Sequence, residues 1–330
     1  MRNLITDVAG VKVGNAHDAD LASGVTVIVF DRPATASGLI AGGAPGSHDT
    51  ALLAPEYTVE AINAVFLSGG SAFGIAAGSG VQAALREAGK GFAVGSVRVP
   101  IVTGAILFDL LNGGNKNWGR YAPYPELGYA ATQAAAESFA LGTAGAGYGA
   151  TTANLKGGLG SASAVTSSGF TIGAVVAVNA IGMTTMGDSP HFWAAPYEVG
   201  QEFGGMGFAS PNASGALRMR LKGDRPSTTI ACVVTDAALT KAQAKRLAIM
   251  ANDGLAHAIR PVHAPFDGDT VFAAATGAKP LGQNAMRDLT EIGMVASDCL
   301  ARAIARGVYE ATALPFANAL PGWKQRFGPR

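Results

Sequence analysis

The sequence is poor in cysteine, in charged residues and in aromatic residues. Cys232 and Cys299 are the only cysteines, and both lie in apolar stretches. This placement predicts two buried thiols rather than a disulfide or a metal-binding pair. Charged residues make up 14% of the chain, aromatic residues 7%, and the formal net charge is +1. Proteins that bind nucleic acids usually carry a clear excess of positive charge, which this nearly neutral chain lacks. We therefore expect no nucleic-acid partner.

Long apolar runs are also missing. No run reaches the roughly 18 residues that a membrane-spanning helix needs. Residues 1–7 lack the continuous apolar core of a signal peptide. These two absences, together with the scarcity of cysteine, predict a cytoplasmic protein without a membrane partner.

Signatures of cofactor binding are absent as well. Neither the segment 69–74 nor the segment 145–149 carries the lysine of a phosphate-binding P-loop or fits the dinucleotide fingerprint. The histidines show no spacing typical of metal ligands; they are His17, His48, His191, His257 and His263. We therefore expect neither a cofactor nor a metal.

The sequence is instead rich in small and apolar residues, with 45 glycines and an apolar share of 48%. Such a composition favours sheets and helices packed closely through small side chains and excludes a disordered chain. The scarcity of surface charge further indicates that part of the surface is buried between subunits, as in a homo-oligomer.

Hydrophobic patterns indicate a layered α/β protein of the α+β kind. Apolar, β-branched runs predict strands, and longer amphipathic segments predict helices. The order of these elements is not a simple βαβ repetition, so a doubly wound sheet is not favoured. The main predicted strands are 24–30, 61–67, 170–179, 229–235 and 270–275, and the main predicted helices are 72–87, 240–258 and 284–306.

Residues 183–225 are rich in proline, glycine and serine and end in a cluster of arginine and lysine. This composition predicts an exposed linker that is open to cleavage. Directly after this segment, the sequence returns to the apolar patterns of strands and helices.

A group of hydroxyl, carboxylate and amide residues forms a candidate catalytic site. Thr228 stands at the start of a predicted strand, and Asp267 and Asp269 precede another. If the peptide bond before Thr228 is cut, the freed α-amino group can serve as the base for the threonine hydroxyl. The two carboxylates fall on one face of an extended segment. Asn179 ends an apolar strand, where its amide can donate to an oxyanion.

Each of these residues also has an ordinary structural interpretation. A threonine at the start of a strand follows β-propensity, and an Asp-Gly-Asp sequence is common in turns. Asn179 can equally cap its strand. The residues alone leave both interpretations open.

Several motifs occur in the same order as in a known family, and the sequence thereby resembles the L-aminopeptidase/D-esterases, with the β-peptidyl aminopeptidases and the nylon-oligomer hydrolase. The resemblance extends from about Asp7 to about Ile304. The motifs that carry it are Gly42–Gly46, Leu67–Gly74, Ile106–Asp109, Gly145–Ala150, Lys156–Ser163, Val176–Asn179 and Thr228–Ile230.

The resemblance implies a four-layer α-β-β-α sandwich, similar to the N-terminal-nucleophile hydrolases but connected differently, in a single domain over residues 1–330. It implies a self-cleaving precursor, cut between Ser227 and Thr228 into fragments 1–227 and 228–330. Thr228 would be the nucleophile and Asn179 the oxyanion donor. Family members usually form tetramers and act on small peptides or amides.

The resemblance also assigns supporting roles. Asp267 and Asp269 would assist the nucleophile, as in the nylon-oligomer branch. The assisting lysine of that branch falls at Asn154 in an ungapped alignment, and Lys156 replaces it only with a local shift.

Three further positions complete the comparison with the family. Phe108 stands where a tyrosine is expected near the substrate. Ser227 stands where the family usually has asparagine or glycine. Asp109 is a candidate to bind the substrate amine, although a capping or structural aspartate is the favoured interpretation.

Three functions follow from the sequence. The first is a self-processing threonine hydrolase of peptides or amino-acid amides that acts as an aminopeptidase. The second is an acyltransferase of the ornithine-acetyltransferase type, which also uses a threonine. The third is an uncleaved, non-catalytic relative.

Overall fold

The computed structural model describes residues 1–209, 218–223 and 226–328. The strands within these residues are β1 (Val11–Asp18), β2 (Ser23–Ile40), β3 (Ser47–His48), β4 (Ala61–Ser68), β5 (Phe92–Val94), β6 (Val97–Val99), β7 (Val102–Ile106), β8 (Gly158–Val165), β9 (Thr171–Asn179), β10 (Thr228–Ala237) and β11 (Thr270–Lys279). The α-helices are α1 (Ala77–Glu87), α2 (Tyr124–Gln133), α3 (Lys241–Ala258), α4 (Ala285–Tyr309) and α5 (Trp323–Phe327).

The long strand β2 connects the two halves of the structure. Hydrogen-bonded strands follow the order β3-β7-β4-β2-β11-β10-β9-β8, and β1 pairs with β2. The first part of β2 pairs with β4, whereas its last part, from Thr35 to Ile40, pairs with β11. Strand β2 therefore belongs both to the sheet layer of β1, β3, β4 and β7 and to the sheet layer of β8 to β11.

Three apolar cores lie between four layers. The first packs α3 and α4 against β8 to β11 and contains Val176, Val233 and Leu247. The second contains Ile28, from one sheet, together with Cys232 from the other. The third packs α1 and α2 against β2 and β4. Alternate residues of the buried strands thus face different cores, and the predicted α-β-β-α sandwich is confirmed.

Small residues allow the close approach of these layers. A side-chain carbon added at Gly160 on β8 would collide with the Ala303 carbonyl oxygen of α4. Polar side chains also cap the starts of α3 and α4. At the start of α3, the Thr240 hydroxyl accepts a hydrogen bond from the Gln243 backbone N–H and the Gln243 side chain accepts one in return.

The main predicted strands and helices are all present, with ends that differ by a few residues. The exception is β2, which continues ten residues beyond the predicted end at Phe30. The predicted helix over 72–87 begins with a 3₁₀ segment, Ser71–Ala76, before α1. The free thiols of Cys232 and Cys299 are buried, as predicted.

The prediction of an exposed linker over 183–225 was wrong for its first part. Residues 181–186 are buried, and Phe192, Ala194 and Phe203 belong to the core around α4. The segment is irregular because it contains proline and glycine. It is nevertheless buried, because its few aromatic side chains pack into the apolar core, and the overall composition does not reveal this packing. Residues 210–217 and 224–225 lie outside the described residues.

Within the described ranges, the structure has no helix of the length and apolar character that crossing a membrane requires.

Candidate active site

Strand pairing brings the predicted nucleophile and the predicted oxyanion donor together. Thr228 is the first residue of β10, Asn179 is the last residue of β9, and the two are direct partners in the antiparallel ladder. Ser227 forms a parallel bridge with Asp267. Residues from three separate segments therefore meet at one end of the central strands, where all of them are buried.

A glycine-rich loop holds the two aspartates in place. The Ala44 N–H donates to the Asp267 carbonyl at 2.7 Å, and the Ala41 N–H donates to the Asp269 carbonyl at 2.9 Å. An added side-chain carbon at Gly42 would collide with the backbone of both aspartates. This contact explains why position 42 needs a residue without a side chain.

The carbonyl group before Thr228 has two hydrogen-bond donors. In the uncut chain the Thr228 hydroxyl donates to the Ser227 carbonyl oxygen. The Gly268 N–H donates to the same oxygen at 3.1 Å. Both donors polarise this carbonyl and hold the hydroxyl beside the bond that a self-cleaving chain would cut.

Asp269 is a buried carboxylate with three donors. Its Oδ1 accepts the Thr229 N–H at 2.8 Å, one residue after the candidate nucleophile. Its Oδ2 accepts the His263 backbone N–H at 3.0 Å and lies 2.9 Å from the Nδ1 atom of the same histidine. Asp269 thereby ties the start of β10 to the segment that precedes β11.

Asp267 is a buried carboxyl group of a different kind. Burial, followed by the charge of neighbouring Asp269, raises the pKa of Asp267 to about 7. The Ala264 N–H, 3.0 Å from its Oδ2, offsets part of this rise. Asp267 can therefore gain or release a proton near neutral pH, which suits acid–base chemistry.

The raised pKa of Asp267 predicts a pH-dependent stability. The folded carboxyl stays protonated up to about pH 7, whereas the unfolded one ionises near its ordinary value of 3.8. The stability that this proton contributes is full below that ordinary value and is lost as the pH rises through about 7. Asp267→Asn removes the titration, so its melting temperature is expected to exceed the parent's by about 2 °C or more at pH 8 but not at pH 4.

Thermal melts of both chains in a Thr228→Ala background, which keeps them equally uncut, measure this difference. Asp253→Asn at an exposed position is the control and should leave the pH profile unchanged. An equal gain at both pH values would contradict the assignment of the titration to Asp267.

Asn179 uses both ends of its side-chain amide. Its Nδ2 donates to the Phe108 carbonyl at 2.9 Å, which leaves one N–H hydrogen for another acceptor. Its Oδ1 accepts the Thr151 N–H at 3.0 Å and the Lys222 ammonium at 2.6 Å. The amide is thus held in a fixed orientation beside Thr228.

A cavity of about 550 Å³ lies next to this group of residues. Pro226, two residues before Thr228, lines it, as do residues 220–223 of the segment that precedes the candidate cut. Phe108 and Lys156 also line the cavity. The volume is suited to a small peptide or amide.

Asp109 lies in the wall of the cavity and is held by the surrounding structure. It accepts hydrogen bonds from the Gly70 N–H and the Ser23 hydroxyl, both at 2.7 Å. Burial raises the pKa of Asp109 despite these two donors. Its position agrees with both interpretations of this residue, amine binding and structural support.

Lys156 and Asn154 have different surroundings. The Lys156 ammonium is buried in the cavity wall, where it donates to the Gly147 carbonyl at 2.9 Å and the Gly157 carbonyl at 2.8 Å. Burial lowers the pKa of Lys156 to about 7. Asn154 instead contacts Thr185 and does not line the cavity. Of the two, Lys156 is the residue that lines the cavity.

Three residues of the site were not predicted as functional from the sequence. Gly268 is the middle residue of the Asp-Gly-Asp motif, and its place in the site follows from its hydrogen bond to the Ser227 carbonyl. The only sequence feature that marked Lys222 was its place in a cluster of basic residues. No sequence feature marked His263, because its partner Asp269 is six residues away in an irregular segment. The described part of the chain contains no group of three or more histidine, cysteine or acidic residues that could hold a metal ion.

Comparison with known proteins identifies the family. Residues 3–319 match the profile of peptidase family S58. An uncharacterized aminopeptidase of Mycobacterium tuberculosis is 41% identical over 351 aligned positions, which cover 98% of each chain. The 6-aminohexanoate-oligomer endohydrolase of Kocuria sp. is 27% identical over 281 positions, which cover 82% of this chain and 74% of that enzyme.

A solved structure confirms the fold. The L-aminopeptidase D-Ala-esterase/amidase of Ochrobactrum anthropi, described as a variant of the Ntn hydrolase fold, aligns with a TM-score of 0.69 at 20% identity and covers 97% of this chain and 91% of its own. The resemblance to the L-aminopeptidase/D-esterases is confirmed, and the family assignment supports a peptide hydrolase. This chain belongs to peptidase family S58.

Proposed function

We propose that the protein is a self-processing threonine hydrolase that acts as an aminopeptidase on small peptides or amino-acid amides. The observation that carries the proposal is the contact of the Thr228 hydroxyl with the Ser227 carbonyl, whose oxygen also accepts the Gly268 N–H. This arrangement is suited to an attack within the chain. The aminopeptidase relative supports the substrate class.

The cut is proposed to begin with attack of Thr228 Oγ1 on the carbonyl carbon of Ser227. The C–N bond then breaks, the hydroxyl proton passes to the Thr228 nitrogen, and an ester joins the two residues. The Gly268 N–H stabilises the negative charge that develops on the oxygen. Water hydrolyses the ester, which releases the carboxyl group of Ser227 and restores the hydroxyl beside a free amine.

The mature enzyme is proposed to use the same hydroxyl on substrates. The Thr228 amine, with an ordinary pKa of about 7.7–8.0, takes the hydroxyl proton as Oγ1 attacks the substrate carbonyl. The second N–H hydrogen of Asn179 donates to the oxyanion. The leaving amine takes up the proton, and water then hydrolyses the acyl-enzyme ester.

Three buried side chains support the nucleophile in this proposal. Asp267, whose pKa is about 7, relays protons near neutral pH. Asp269 fixes the start of β10 through the Thr229 N–H. The lysine at 156 supplies a partly neutral amine at the cavity wall, because burial lowers its pKa to about 7.

Intact mass under denaturing conditions tests the proposal directly. The expected result is two fragments of 227 and 103 residues, with hydrolysis of an amino-acid amide by the cut protein. A chain that keeps its full mass of 33.2 kDa during incubation and hydrolyses no amide would overturn it.

We also propose that the protein forms a homo-oligomer, and the resemblance favours a tetramer. The hairpin of β5 and β6 supports this proposal, because its four large apolar side chains are at least 42% exposed: Phe92, Val94, Val97 and Val99. An isolated two-stranded hairpin is only marginally stable in water and gains stability from a covering surface.

Light scattering of purified protein should give a multiple of 33.2 kDa. The double variant Phe92→Ser/Val97→Ser is expected to lower the molar mass by removing apolar area from the contact. Val165→Ser, at another exposed valine, should not. A monomeric parent at micromolar concentration would contradict the proposal.

A further inference from the structure

His263 lies in the irregular segment between α3 and β11 and contacts the buried pair of aspartates. Its Nδ1 is 2.9 Å from Asp269 Oδ2, and its Nε2 is 3.0 Å from Asn252 Nδ2 on α3. The side chain is 22% exposed, whereas that of Asp269 is 2% exposed. The imidazole therefore joins a helix to the carboxylate that holds the start of β10.

The two contacts of the ring define one tautomer. A carboxylate oxygen only accepts hydrogen bonds, so Nδ1 carries the hydrogen and donates to Asp269. The Asn252 amide nitrogen donates, so Nε2 accepts. The Nδ1–H ring satisfies both contacts, so Asp269 and Asn252 engage both ring nitrogens.

The backbone at His263 strengthens the same contact. His263 has φ = 55°, in the left-handed region that glycine adopts freely and that residues with a side chain adopt much less often. In this conformation the His263 N–H donates to Asp269 Oδ2 at 3.0 Å and the next N–H, from Ala264, donates to Asp267 Oδ2 at 3.0 Å. Two successive N–H groups thus bind the two carboxylates, as in an anion-binding nest.

We propose that His263 is a positioning residue for the hydrolase. Its imidazole holds Asp269 in the orientation in which Oδ1 binds the Thr229 N–H, and this contact fixes Thr228 at the reacting position. The proposal rests on the proposed function. Glycine would satisfy the left-handed backbone without strain, so a histidine at this position is explained by what its side chain binds.

Three substitutions of His263 distinguish the effect of its side chain from the effect of its backbone conformation. His263→Gly keeps both N–H donors, relieves the left-handed strain and removes the imidazole. His263→Asn is also at ease in the left-handed region, and its Nδ2 takes the place of Nδ1 as the donor to Asp269. His263→Ala removes the ring but keeps the strain. Asp49→Gly is the matched control, because Asp49 has φ = 52° at an exposed position outside the site.

We expect the loss of the imidazole to lower turnover without lowering stability. His263→Gly should melt no lower than the parent yet lose at least about 10-fold in kcat for an amino-acid amide, with KM little changed. His263→Asn should recover most of that loss, and Asp49→Gly should behave as the parent. A kcat for His263→Gly within twofold of the parent, or no recovery in His263→Asn, would overturn the proposal.

A second measurement does not depend on turnover. Nitrogen NMR of the histidine rings in the uncut Thr228→Ala chain should show His263 as the Nδ1–H tautomer, and Asp269→Asn should shift that signal. A signal from the Nε2–H tautomer would overturn the proposal. If the parent neither cuts itself nor hydrolyses an amide, the proposed function fails, and the NMR result still decides whether His263 holds Asp269.

Discussion

Thr228→Ala is expected to leave the chain uncut at 33.2 kDa and to lower amide hydrolysis by at least about 10⁴-fold. The substitution removes the oxygen that, in the proposed mechanism, attacks both the Ser227 carbonyl and the substrate. The neighbouring donor Gly268 and the partner Asn179 remain, but they stabilise an oxyanion that no longer forms. Intact mass and a fluorescent amide substrate measure the two losses in one preparation.

Thr228→Ser is the matched control for this result. It keeps the hydroxyl and removes a methyl group, so cleavage and turnover are both expected to persist. A Thr228→Ala chain that still separates into fragments of 227 and 103 residues would show that another group makes the cut. Uncut but fully active protein would separate the two activities and contradict the shared nucleophile.

Gly268→Ala is expected to lower both self-cleavage and turnover by about 100-fold, because small displacements of a reacting group are costly. The added carbon would lie 2.8 Å from Thr228 Oγ1 and 2.9 Å from the Ala44 carbonyl oxygen. The second contact is with backbone that other hydrogen bonds hold, so the Thr228 hydroxyl is the group expected to move. Time courses of cleavage and steady-state kinetics measure the effect.

Gly38→Ala controls for a glycine substitution in a sheet. The nearest atoms to its added carbon are 3.4 Å away, an ordinary contact distance, and cleavage should proceed at the parent's rate. Equal losses in both variants would assign the effect to destabilised strands. Gly268→Ala with normal activity would contradict the expectation that the added carbon displaces the Thr228 hydroxyl.

Much of the fold was predictable because its strands and helices have clear periodic patterns. The apolar run that ends at Asn179 forms a strand buried on both faces, and the predicted helix over 284–306 forms α4. The first part of the segment 183–225 was misjudged because composition reports polarity and chain flexibility rather than contacts. Phe192 and Phe203, both buried, belong to the core despite the glycines and prolines around them.

The candidate site was predictable only in its residues with strong local signals. The order of the motifs identified Thr228, Asn179 and the two aspartates as candidates, and strand pairing places them together. Lys156 reaches the cavity whereas Asn154 does not, although an ungapped alignment favours Asn154. The alignment counts positions along the chain and does not register which way each side chain points.

The sequence by itself determined the family, the alternation of strands and helices, and the identity of the candidate nucleophile, because these are carried by residue order and local periodicity. The tertiary structure decided which groups share hydrogen bonds and how deeply each is buried. The contact of His263 with Asp269 depends on the path of an irregular segment, and the pKa of about 7 at Asp267 depends on burial in the folded chain. Hydrogen bonds and desolvation depend on distances of a few ångströms, and residue order fixes such distances only within a single helix or strand.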